Sequence, residues 1–425
     1  MVMAFEGIRI IDFTQLEQGP SGTQVLADFG AEVIKVERID TGEIGRSQNP
    51  MVNGVSCPWA ANNRNKKSLT LDLQKPEAKE IIYQMVKMSD VVASNFRPGV
   101  MERLGFGYQD LSTINPRIIC AYASGYGQTG PYRDKRGQDL MGQAMGGLMA
   151  MTGEAGGPPT AAGTWAMDYL GAMLFAQGIM VALAARERTG RGQEVDSCLL
   201  NAGIAVHLQE GTSYLNTGER ALRPRRGICH SGSGPLYATY QTKDHKWLAI
   251  VGGFVDKPWK RVCTALGIDD SIADDLRFQD RPGIVAHEEE LQAILQDAFA
   301  QKVREEALRL LEEQDILCGP VYEDPEVFSD PQVIHNQMIL ECDHPVAGKM
   351  KLVAHPVKLS DTPAVLRMAP PTVGQHNEEV LSFLGYKEAE IYDLQQKGVV
   401  GSEKVKARQS LSPLGGSWKK QAVGI

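Results

Sequence analysis

The feature that most constrains the fold is the alternation of short apolar runs with helical patterns in the first third of the chain. The run from Ile8 to Phe13 predicts a strand. Val25, Leu26 and Phe29 then repeat at helical spacing before Gly30 ends the helix. Strands that alternate with helices build βαβ units, so the sequence predicts an α/β fold with a mostly parallel sheet. The further strands predicted in this part are 33–37, 68–73, 91–93 and 118–121.

The pattern changes near residue 225, where arginine, proline and glycine form a turn-rich connection. Beyond it, 237–242 and 247–251 alternate as the two strands of a hairpin, and three helical patterns follow. These elements predict a second, smaller α+β domain that is inserted into the chain. The predicted divisions are 1–200, large domain, first part; 201–225, linker; 226–320, small α+β domain; 321–335, linker; 336–400, large domain, second part; and 401–425, tail.

Composition argues against several classes of function. Lysine and arginine number 44 against 52 acidic residues, and the net charge of −8 argues against a general nucleic-acid binder. The seven cysteines are dispersed without a CxxC pair, and the eight histidines lack HExxH spacing, so no metal site is predicted. The N-terminus lacks the pattern of a secretory signal, and a cytoplasmic location is expected.

The stretch from Tyr169 to Ala185 is almost free of charge and could be mistaken for a membrane span. It is shorter than the roughly 20 residues that a span needs, and it contains Gly171, Gln177 and Gly178. It is therefore predicted to be a buried helix rich in small residues, and no membrane partner is expected.

The turn after the first predicted strand argues against a dinucleotide cofactor. The segment 14–22 lacks the three-glycine GxGxxG spacing, and Pro20 removes a backbone donor that a pyrophosphate would use. Arg38 directly follows Glu37 at the end of the second predicted strand, which favours a phosphate group over a bare ribose diol.

Four arginines recur near the C-terminal ends of predicted strands, the edge at which open α/β sheets bind ligands. Any one of them alone is more simply a surface arginine in a weak ion pair. Four at the same kind of position predict a site for a polyphosphate ligand. They are Arg38, Arg97, Arg103 and Arg136.

Asp168 is the strongest candidate for a catalytic residue. It stands at the start of the longest apolar helix, where an aspartate commonly caps the helix and stabilises it by about 1 kcal/mol. The same place suits a carboxylate nucleophile, because a helix N-terminus favours the ionised form. The sequence leaves both roles open. Asp139, at the start of another predicted helix, is interpreted as a cap or first-turn acid.

Short motifs from Phe5 to about Val400 occur in an order that is specific to one family. They are 7–14 (GIRIIDFT), 19–20 (GP), 26–37 (LADFGAEVIKVE), 95–99 (NFRPG), 115–117 (NPR), 125–127 (GYG), 146–149 (GGLM) and 189–193 (TGRGQ). On these motifs the chain resembles the class III CoA-transferases of the CaiB/BaiF type, the group that contains formyl-CoA transferase and carnitine CoA-transferase.

The resemblance implies an interlocked homodimer, whose two chains are threaded through each other like linked rings. Each chain is then expected to have a large Rossmann-like domain made from both chain ends and an inserted small domain. By resemblance, Asp168 is the nucleophile. The implied CoA-binding positions are Glu17, Gln18, Arg38, Leu71, Asn95, Phe96, Arg97, Arg103 and Arg136. The implied glycine loop over the site is Ser231, Gly232, Ser233 and Gly234.

Two departures from the formyl-CoA transferases concern the substrate. Glu17 stands where those enzymes have glutamine, and the loop that begins at Ser231 has two glycines where theirs has a longer glycine-rich run. Formyl transfer to oxalate is therefore disfavoured for this chain.

The implied reaction moves CoA from an acyl-CoA thioester to a small free carboxylic acid through an aspartyl anhydride and an aspartyl–CoA thioester. CoA and acyl-CoA are substrates in this reaction, and no tightly bound cofactor is expected. One alternative is an α-methylacyl-CoA racemase-like enzyme. It needs two bases, and Gln138 stands where the racemases that resemble this family have a histidine. The other alternative is a non-catalytic acyl-CoA-binding protein, against which the presence of Asp168 argues.

Overall fold

The computed structural model describes residues 2–229, 234–252 and 255–401. These residues divide into two compact units. The first consists of the chain up to Gly146, of Thr164–Gly203 and of the residues from His335 on, and the second consists of Gly147–Gly163 and Ile204–Ile334.

A six-stranded sheet forms the centre of the first unit. All of its neighbouring strands pair in parallel, in the order β3-β2-β1-β4-β5-β6. The predicted α/β fold with a parallel sheet is therefore confirmed. The order reverses between β1 and β4, and such a switch point opens a crevice at the carboxyl ends of the strands. The strands are β1 (Arg9–Asp12), β2 (Glu32–Glu37), β3 (Lys66–Thr70), β4 (Val91–Ser94), β5 (Ile119–Ser124) and β6 (Glu194–Cys198).

Helices cover both faces of this sheet. Because side chains alternate along a strand, the neighbours Ile10 and Ile11 enter two different cores. Ile11 packs with Ile81 of the helix Pro76–Lys87 and with Leu381 near the C-terminus. Residues close to both chain ends thus share one core. The helices of the first unit are Gln18–Asp28, Cys57–Ala61, Pro76–Lys87, Val100–Leu104, Tyr108–Ile114, Asp139–Met145, Ala166–Thr189, Leu199–Ala205, Asn377–Phe383 and Glu388–Gln396, with a 3-10 turn at Ile44–Ser47.

The opposite core holds two helices, which we call the first helix (Gln18–Asp28) and the long helix (Ala166–Thr189). They pack closely, since a Cβ atom on Gly22 would lie 2.8 Å from the carbonyl oxygen of Ala172. The long helix has 24 residues, and its most apolar stretch has a mean hydropathy of 1.5. By length and composition alone, this helix could cross a membrane. Its inner residues Phe175 and Ile179 are fully buried against the sheet, as in a core helix of this length.

The sheet differs from the sequence prediction at two strands. The predicted strand 68–73 runs from Lys66 to Thr70. Lys66 is buried beside Asp12 and Lys67 pairs with Glu32, so neither lysine interrupts the strand. The edge strand β6 was not predicted. Its alternate positions carry Glu194 and Asp196, and a strand that is exposed on one face tolerates such charges.

The second unit contains a three-stranded antiparallel sheet formed by Tyr237–Gln241, Trp247–Val251 and Leu317–Val321. Its core includes Tyr240 stacked on Phe299, with ring centroids 4.9 Å apart. The helices assigned to this unit or its boundary are Leu148–Met151, Leu208–Thr217, Pro258–Leu266, Asp270–Ala273, Arg281–Ala286, Glu288–Phe299, Arg304–Glu313, Asp324–Val327 and Pro331–His335, with a 3-10 turn at Leu276–Phe278.

The units differ in detail from the predicted divisions. Residues 147–163, which the sequence placed in the large domain, group with the second unit. The amide of Ala155 donates to the carbonyl oxygen of Pro224, and Arg223 donates to that of Gly157, which ties this segment to the later one. The predicted linker 201–225 is largely helical, since it holds Leu208–Thr217.

Two short hairpins complete the first unit. One pairs Met51–Val52 with Val55–Ser56, and the other pairs Ile339–His344 with Gly348–Val353. Met350 and Leu352 of the second hairpin pack with Trp59 in a small separate core.

Candidate active site

The turn that follows β1, residues 13–17, lies at the switch point of the sheet. Gln15 and Asn95 bond each other across it, since the Gln15 amide donates to Asn95 Oδ1 at 2.8 Å and Asn95 Nδ2 donates to the Gln15 carbonyl at 2.7 Å. Leu16 has a φ of 64°, a left-handed conformation that costs free energy unless neighbours hold it. The turn is therefore fixed between the carboxyl ends of β1 and β4.

A set of buried charged residues, here called the buried ion network, fixes the position of this turn. It consists of Asp12, Lys35, Glu43 and Lys66. Lys66 Nζ lies 3.1 Å from Asp12 Oδ2, and Lys35 Nζ lies 3.7 Å from Glu43 Oε1. Lys35 also donates to the carbonyl oxygen of Thr14 at 2.6 Å, while the amide of Leu16 donates to Glu43 Oε2. Each charge is thus paired, and the network positions the backbone of the turn.

Opposite charges set the pKa values inside this network. Burial works against ionisation of Asp12, but Lys66 and Lys35 outweigh it and lower the pKa of Asp12. Burial lowers the pKa of Lys66 to about 8, and Asp12 opposes that shift. Asp12 and Lys66 are therefore both charged at neutral pH.

Asp139 supplies the cap of the long helix from a distance in sequence. Its Oδ1 accepts the amides of Met167 at 2.7 Å and of Asp168 at 3.1 Å, and its Oδ2 accepts from Gln143 Nε2 at 2.6 Å. The residue at the N-cap position is Trp165, whose side chain makes no capping bond. Of the two roles that the sequence left open for Asp168, the helix cap is therefore wrong. Asp168 lies inside the first turn, so its side chain is not used as a cap.

Three carboxyl groups, here called the acidic cluster, lie close enough to influence one another's pKa: Glu17, Asp139 and Asp168. Burial raises the pKa of Asp168 to about 7, with further contributions from Glu17 and Asp139. Burial and Asp139 likewise raise the pKa of Glu17 to about 7. The sequence predicted that the helix start keeps Asp168 ionised, but desolvation and like charges outweigh the helix. A carboxyl with this pKa changes its charge near neutral pH, as is typical of functional sites.

Gln18 follows Glu17 and begins the first helix. Its side chain is 5% exposed, and its Nε2 has no hydrogen-bond partner among the described residues. It lies against the long helix at Gly171, where a Cβ atom would be 2.8 Å from Nε2.

A cavity of about 540 Å³ opens at the carboxyl ends of β4 and β5. We call it the basic cavity. Gln138 lines it directly before Asp139, and Asn95 lines it while bonding to Gln15. The basic cavity therefore adjoins the acidic cluster at the switch point. Four of the predicted positions line it, and so do two basic residues that the sequence analysis did not select. These six are Asn95, Phe96, Arg97, Arg136, Arg133 and Lys135.

Arg103 lies beside this cavity without lining it. A Cβ atom on Gly99 would be 3.2 Å from Arg103 Nη1 and 3.5 Å from Arg133 Nη2, so both guanidinium groups approach the same backbone. The run of basic residues at 133–136 is the sequence signal that would have identified Arg133 and Lys135.

The other predicted positions lie elsewhere. Arg38 is exposed just after β2. Leu71 is 2% exposed, and its side chain packs in the core near Val400, so only its backbone could contact a ligand. Gly234 has a φ of 71° with open space at its Cβ position. The remaining loop positions Ser231, Gly232 and Ser233 lie outside the described residues.

The described ranges hold no group of three or more His, Cys, Asp or Glu side chains that could bind a metal ion.

The family model for CoA-transferase family III matches residues 5–377. The chain belongs to this family. The resemblance predicted from the motifs is thus confirmed. The chain is 36% identical over 404 residues to a Mus musculus protein named succinyl-CoA:glutarate CoA-transferase. The aligned region covers 94% of this chain and 91% of that protein.

Other relatives agree with this assignment. A Rhodopseudomonas palustris protein named formyl-CoA:oxalate CoA-transferase is 31% identical over 424 residues, covering 94% of this chain and 98% of that protein. The solved structure of a CaiB/BaiF family protein from Brucella suis has a TM-score of 0.81 at 30% identity, over 90% of this chain and 100% of that one. Relatives that are named CoA-transferases support the predicted enzyme class.

Proposed function

We propose that this protein is a CoA-transferase in which Asp168 is the nucleophile that carries the acyl group and then CoA. The observation that carries the proposal is the position of Asp168 at the switch point, near the basic cavity. Its carboxyl group is partly buried and does not cap the helix. A carboxyl that its surroundings stabilise poorly as an anion is a better nucleophile than an exposed aspartate.

The basic cavity is the proposed site of the CoA phosphates. Arginine and lysine side chains suit phosphate groups, because guanidinium donors match phosphate oxygens in pairs and ammonium groups add charge. Arg97, Arg133, Lys135 and Arg136 line a volume of about 540 Å³, and Arg103 adds a further charge beside it. The thiol end of CoA would then point toward the acidic cluster.

The reaction proceeds by breaking and remaking one thioester. Asp168 attacks the carbonyl carbon of acyl-CoA, the C–S bond breaks, and a mixed anhydride and CoA thiolate form. The thiolate attacks Cγ of Asp168 and frees the donor acid, which leaves an aspartyl–CoA thioester. The acceptor carboxylate attacks the same Cγ, and the released thiolate takes the acceptor acyl group. Two activated intermediates retain the free energy of the thioester.

The like charges at the site favour the first step. Formation of the anhydride removes the charge of Asp168 from the acidic cluster, and a negative charge develops on the thiolate instead. Repulsion from Glu17 and Asp139 is thereby relieved as the reaction proceeds. An interaction that is less unfavourable in the transition state than in the ground state accelerates the step.

The substrates are proposed to be a CoA thioester and a small dicarboxylic acid. The relatives are named for exchange between succinyl-CoA and glutarate, citramalate or malate, and between formyl-CoA and oxalate. Glu17, where formyl-CoA transferases have glutamine, favours the longer acids over formate and oxalate for this chain.

The racemase alternative is weaker. A racemase needs two proton acceptors on opposite sides of the α-carbon. Both oxygens of Asp139 are engaged by Met167, Asp168 and Gln143, and Gln138 beside it is not a base.

Hydroxylamine separates the candidates. Added to the protein with succinyl-CoA, it should convert the activated Asp168 carbonyl into a hydroxamate, which peptide mass spectrometry locates. The matched control is the Asp168→Asn variant, which should give none. Exchange of the α-proton of the acyl-CoA in deuterated water, with no hydroxamate, would identify a racemase. CoA binding without either product would identify a binding protein.

An interlocked homodimer is proposed from the family resemblance. Linked chains separate only when one of them unfolds, so dissociation is governed by the unfolding barrier. Mixing tagged and untagged dimers should yield no mixed dimer over days under native conditions. Rapid exchange would contradict the linked arrangement. A cytoplasmic location stays a prediction.

A further inference from the structure

The amide group of Gln18 has no structural partner that accounts for its position. The side chain is 95% buried, and Nε2 has no acceptor among the described residues. Buried side-chain donors are normally paired, so an unpaired one requires an explanation. Gln24, on the same helix, shows the usual case. Its Nε2 donates to the carbonyl oxygen of Ala61, and its Oε1 accepts the amide of Arg64.

The position of this amide relates it to Asp168. A Cβ atom on Gly171 would lie 2.8 Å from Gln18 Nε2, and Gly171 is three residues beyond Asp168, hence on the same helix face. A Cβ atom on a helix points toward the N-terminus and covers the preceding turn. The unpaired amide therefore lies over the turn that carries the Asp168 carboxyl.

The neighbouring residue supports the same placement from the other element. Glu17 directly precedes Gln18. After burial, it is the residue that contributes most to the raised pKa of Asp168. The turn between β1 and the first helix thus places one acid and one free amide donor on the side of the long helix that carries Asp168. The backbone of this turn is fixed by the buried ion network and by Asn95.

We propose that Gln18 Nε2 is the donor that stabilises the oxyanion formed on the Asp168 carboxyl when its Cγ is attacked. The inference rests on the proposed role of Asp168 as nucleophile. Cγ is attacked twice in each exchange, by CoA thiolate and by the acceptor carboxylate. Each attack moves an electron pair onto the carbonyl oxygen of Asp168, and collapse of the intermediate expels the acyl carboxylate or the thiolate. No proton is transferred, because the amide donates a hydrogen bond only.

Gly171 has a defined part in this arrangement. It leaves the space in which the carboxamide rests, since its missing Cβ would lie 2.8 Å from Nε2 and 3.3 Å from Cγ of Gln18. Any side chain at position 171 would displace the donor from the turn of Asp168. We therefore assign Gly171 as a positioning residue that acts through Gln18.

The test compares Gln18→Met with Gln24→Met. Methionine keeps the length of the side chain and removes the donor. Gln18→Met should lower kcat about 100-fold, the effect of losing one oxyanion donor, with an unchanged KM for succinyl-CoA. Its Tm should be unchanged or higher, because a buried unpaired amide has been removed. Gln24→Met should lower Tm and retain kcat. Full activity in Gln18→Met, or a loss of Tm that parallels its loss of kcat, would overturn the proposal.

The step can be isolated by intact-protein mass spectrometry. With succinyl-CoA and no acceptor, the wild type should form the aspartyl–CoA adduct rapidly, and Gln18→Met should form it more slowly by the same factor as kcat. Equal rates of adduct formation would contradict the assignment. If the wild type forms neither this adduct nor a hydroxamate at Asp168, the proposed function itself fails, which is a different outcome.

A double-mutant cycle tests the part of Gly171. Gly171→Ala should lower kcat in the wild-type background, because the new methyl group displaces the Gln18 amide. In a Gln18→Ala background, the same change should have no further effect on kcat, since the displaced group is absent. Additive losses would show that Gly171 does not act through Gln18.

Discussion

Two groups of buried charges lie on either side of one turn, and they differ in how their charges are balanced. The buried ion network pairs each acid with a lysine, and the lysines keep the pKa of Asp12 below its ordinary value. Within the described part of the chain, no lysine or arginine forms an ion pair with Glu17 or Asp168 of the acidic cluster, and burial raises the pKa of both to about 7. Balanced charges fix a backbone, whereas crowded like charges leave a group reactive.

The difference also assigns a task to each group. The network bonds to the carbonyl of Thr14 and the amide of Leu16, so it acts on the chain and not on a ligand. The cluster adjoins the basic cavity, and its members differ among themselves. Asp139 accepts the amides at the start of the long helix, whereas the side chains of Asp168 and Glu17 make no such bond to any residue that the structure describes. The residues that stabilise the turn are thus different from the residues that are proposed to react.

The largest effect is expected at Asp168. Asp168→Ala should abolish CoA transfer, because the proposed nucleophile is lost, while the fold is retained, because this side chain caps nothing. Transfer between succinyl-CoA and glutarate measures the first point and thermal unfolding the second. A purified variant that kept a tenth of the wild-type kcat would contradict the assignment of Asp168 as the nucleophile.

The second effect breaks the balanced group. Asp12→Ala leaves the Lys66 ammonium group buried without its carboxylate, and such a loss typically costs about 3–5 kcal/mol of unfolding free energy. Urea unfolding measures it. Asp343→Ala is the matched control, because its pair with Lys349 is exposed and is worth less than about 1 kcal/mol. Equal costs for the two variants would mean that burial of the network is immaterial to stability.

These elements show how far the sequence predicts the molecule. The apolar run 91–93, which forms β4 (Val91–Ser94), follows from local pattern, so it was predicted. A buried lysine such as Lys66 does not fit an apolar strand pattern. Its ionic partner Asp12 lies 54 positions away, so local sequence does not reveal why the lysine is tolerated. The same limit applies to the site. Motifs identified Asp168, but the cap from Asp139 depends on a contact across 28 positions.

The basic cavity was predicted in part for the same reason. Arg97 and Arg136 follow strands or motifs that the sequence reveals, and both line the cavity. Leu71 shares a family position but is turned into the core, because β3 ends at Thr70 and the chain there pairs with Val400. Position along a motif therefore fixes the backbone of a site better than the direction of a side chain.

The third prediction concerns the exposed charges of that cavity. Arg97→Ala and Arg103→Ala should each raise the KM for CoA esters by about 10- to 100-fold, since a charge-assisted contact is worth about 1.5–3 kcal/mol. The kcat should change less, because phosphates are bound alike in ground and transition states. Arg117→Ala, an exposed arginine before β5 and hence at the opposite edge of the sheet, is the control. Equal KM values for all three variants would exclude the cavity as the CoA site.

The smallest effect is the most direct measure of the contrast between the two groups. The pKa of Asp168 is about 7 in the folded protein against 3.8 ordinarily. Between these values the folded state holds a proton that the unfolded state has lost, so stability falls as pH rises from about 4 to about 7. Asp168→Asn removes this loss. One pKa unit corresponds to about 1.4 kcal/mol, and we expect a gain of about 1–2 kcal/mol at pH 8, after allowance for partial solvation.

The matched variant in the buried ion network should behave in the opposite way. The pKa of Asp12 is lowered on folding, so its contribution is present at neutral pH and is lost as pH falls through the acid range. Asp12→Asn should therefore be less stable than the wild type at pH 8, and the difference should shrink on acidification. Urea unfolding at pH 4 and pH 8 measures the sign for Asp168→Asn, and urea unfolding at pH 3 and pH 8 measures it for Asp12→Asn, because Asp12 keeps most of its contribution at pH 4. If Asp168→Asn were destabilising at pH 8, Asp168 would belong with the balanced charges, and its role as a poorly stabilised, reactive anion would be refuted.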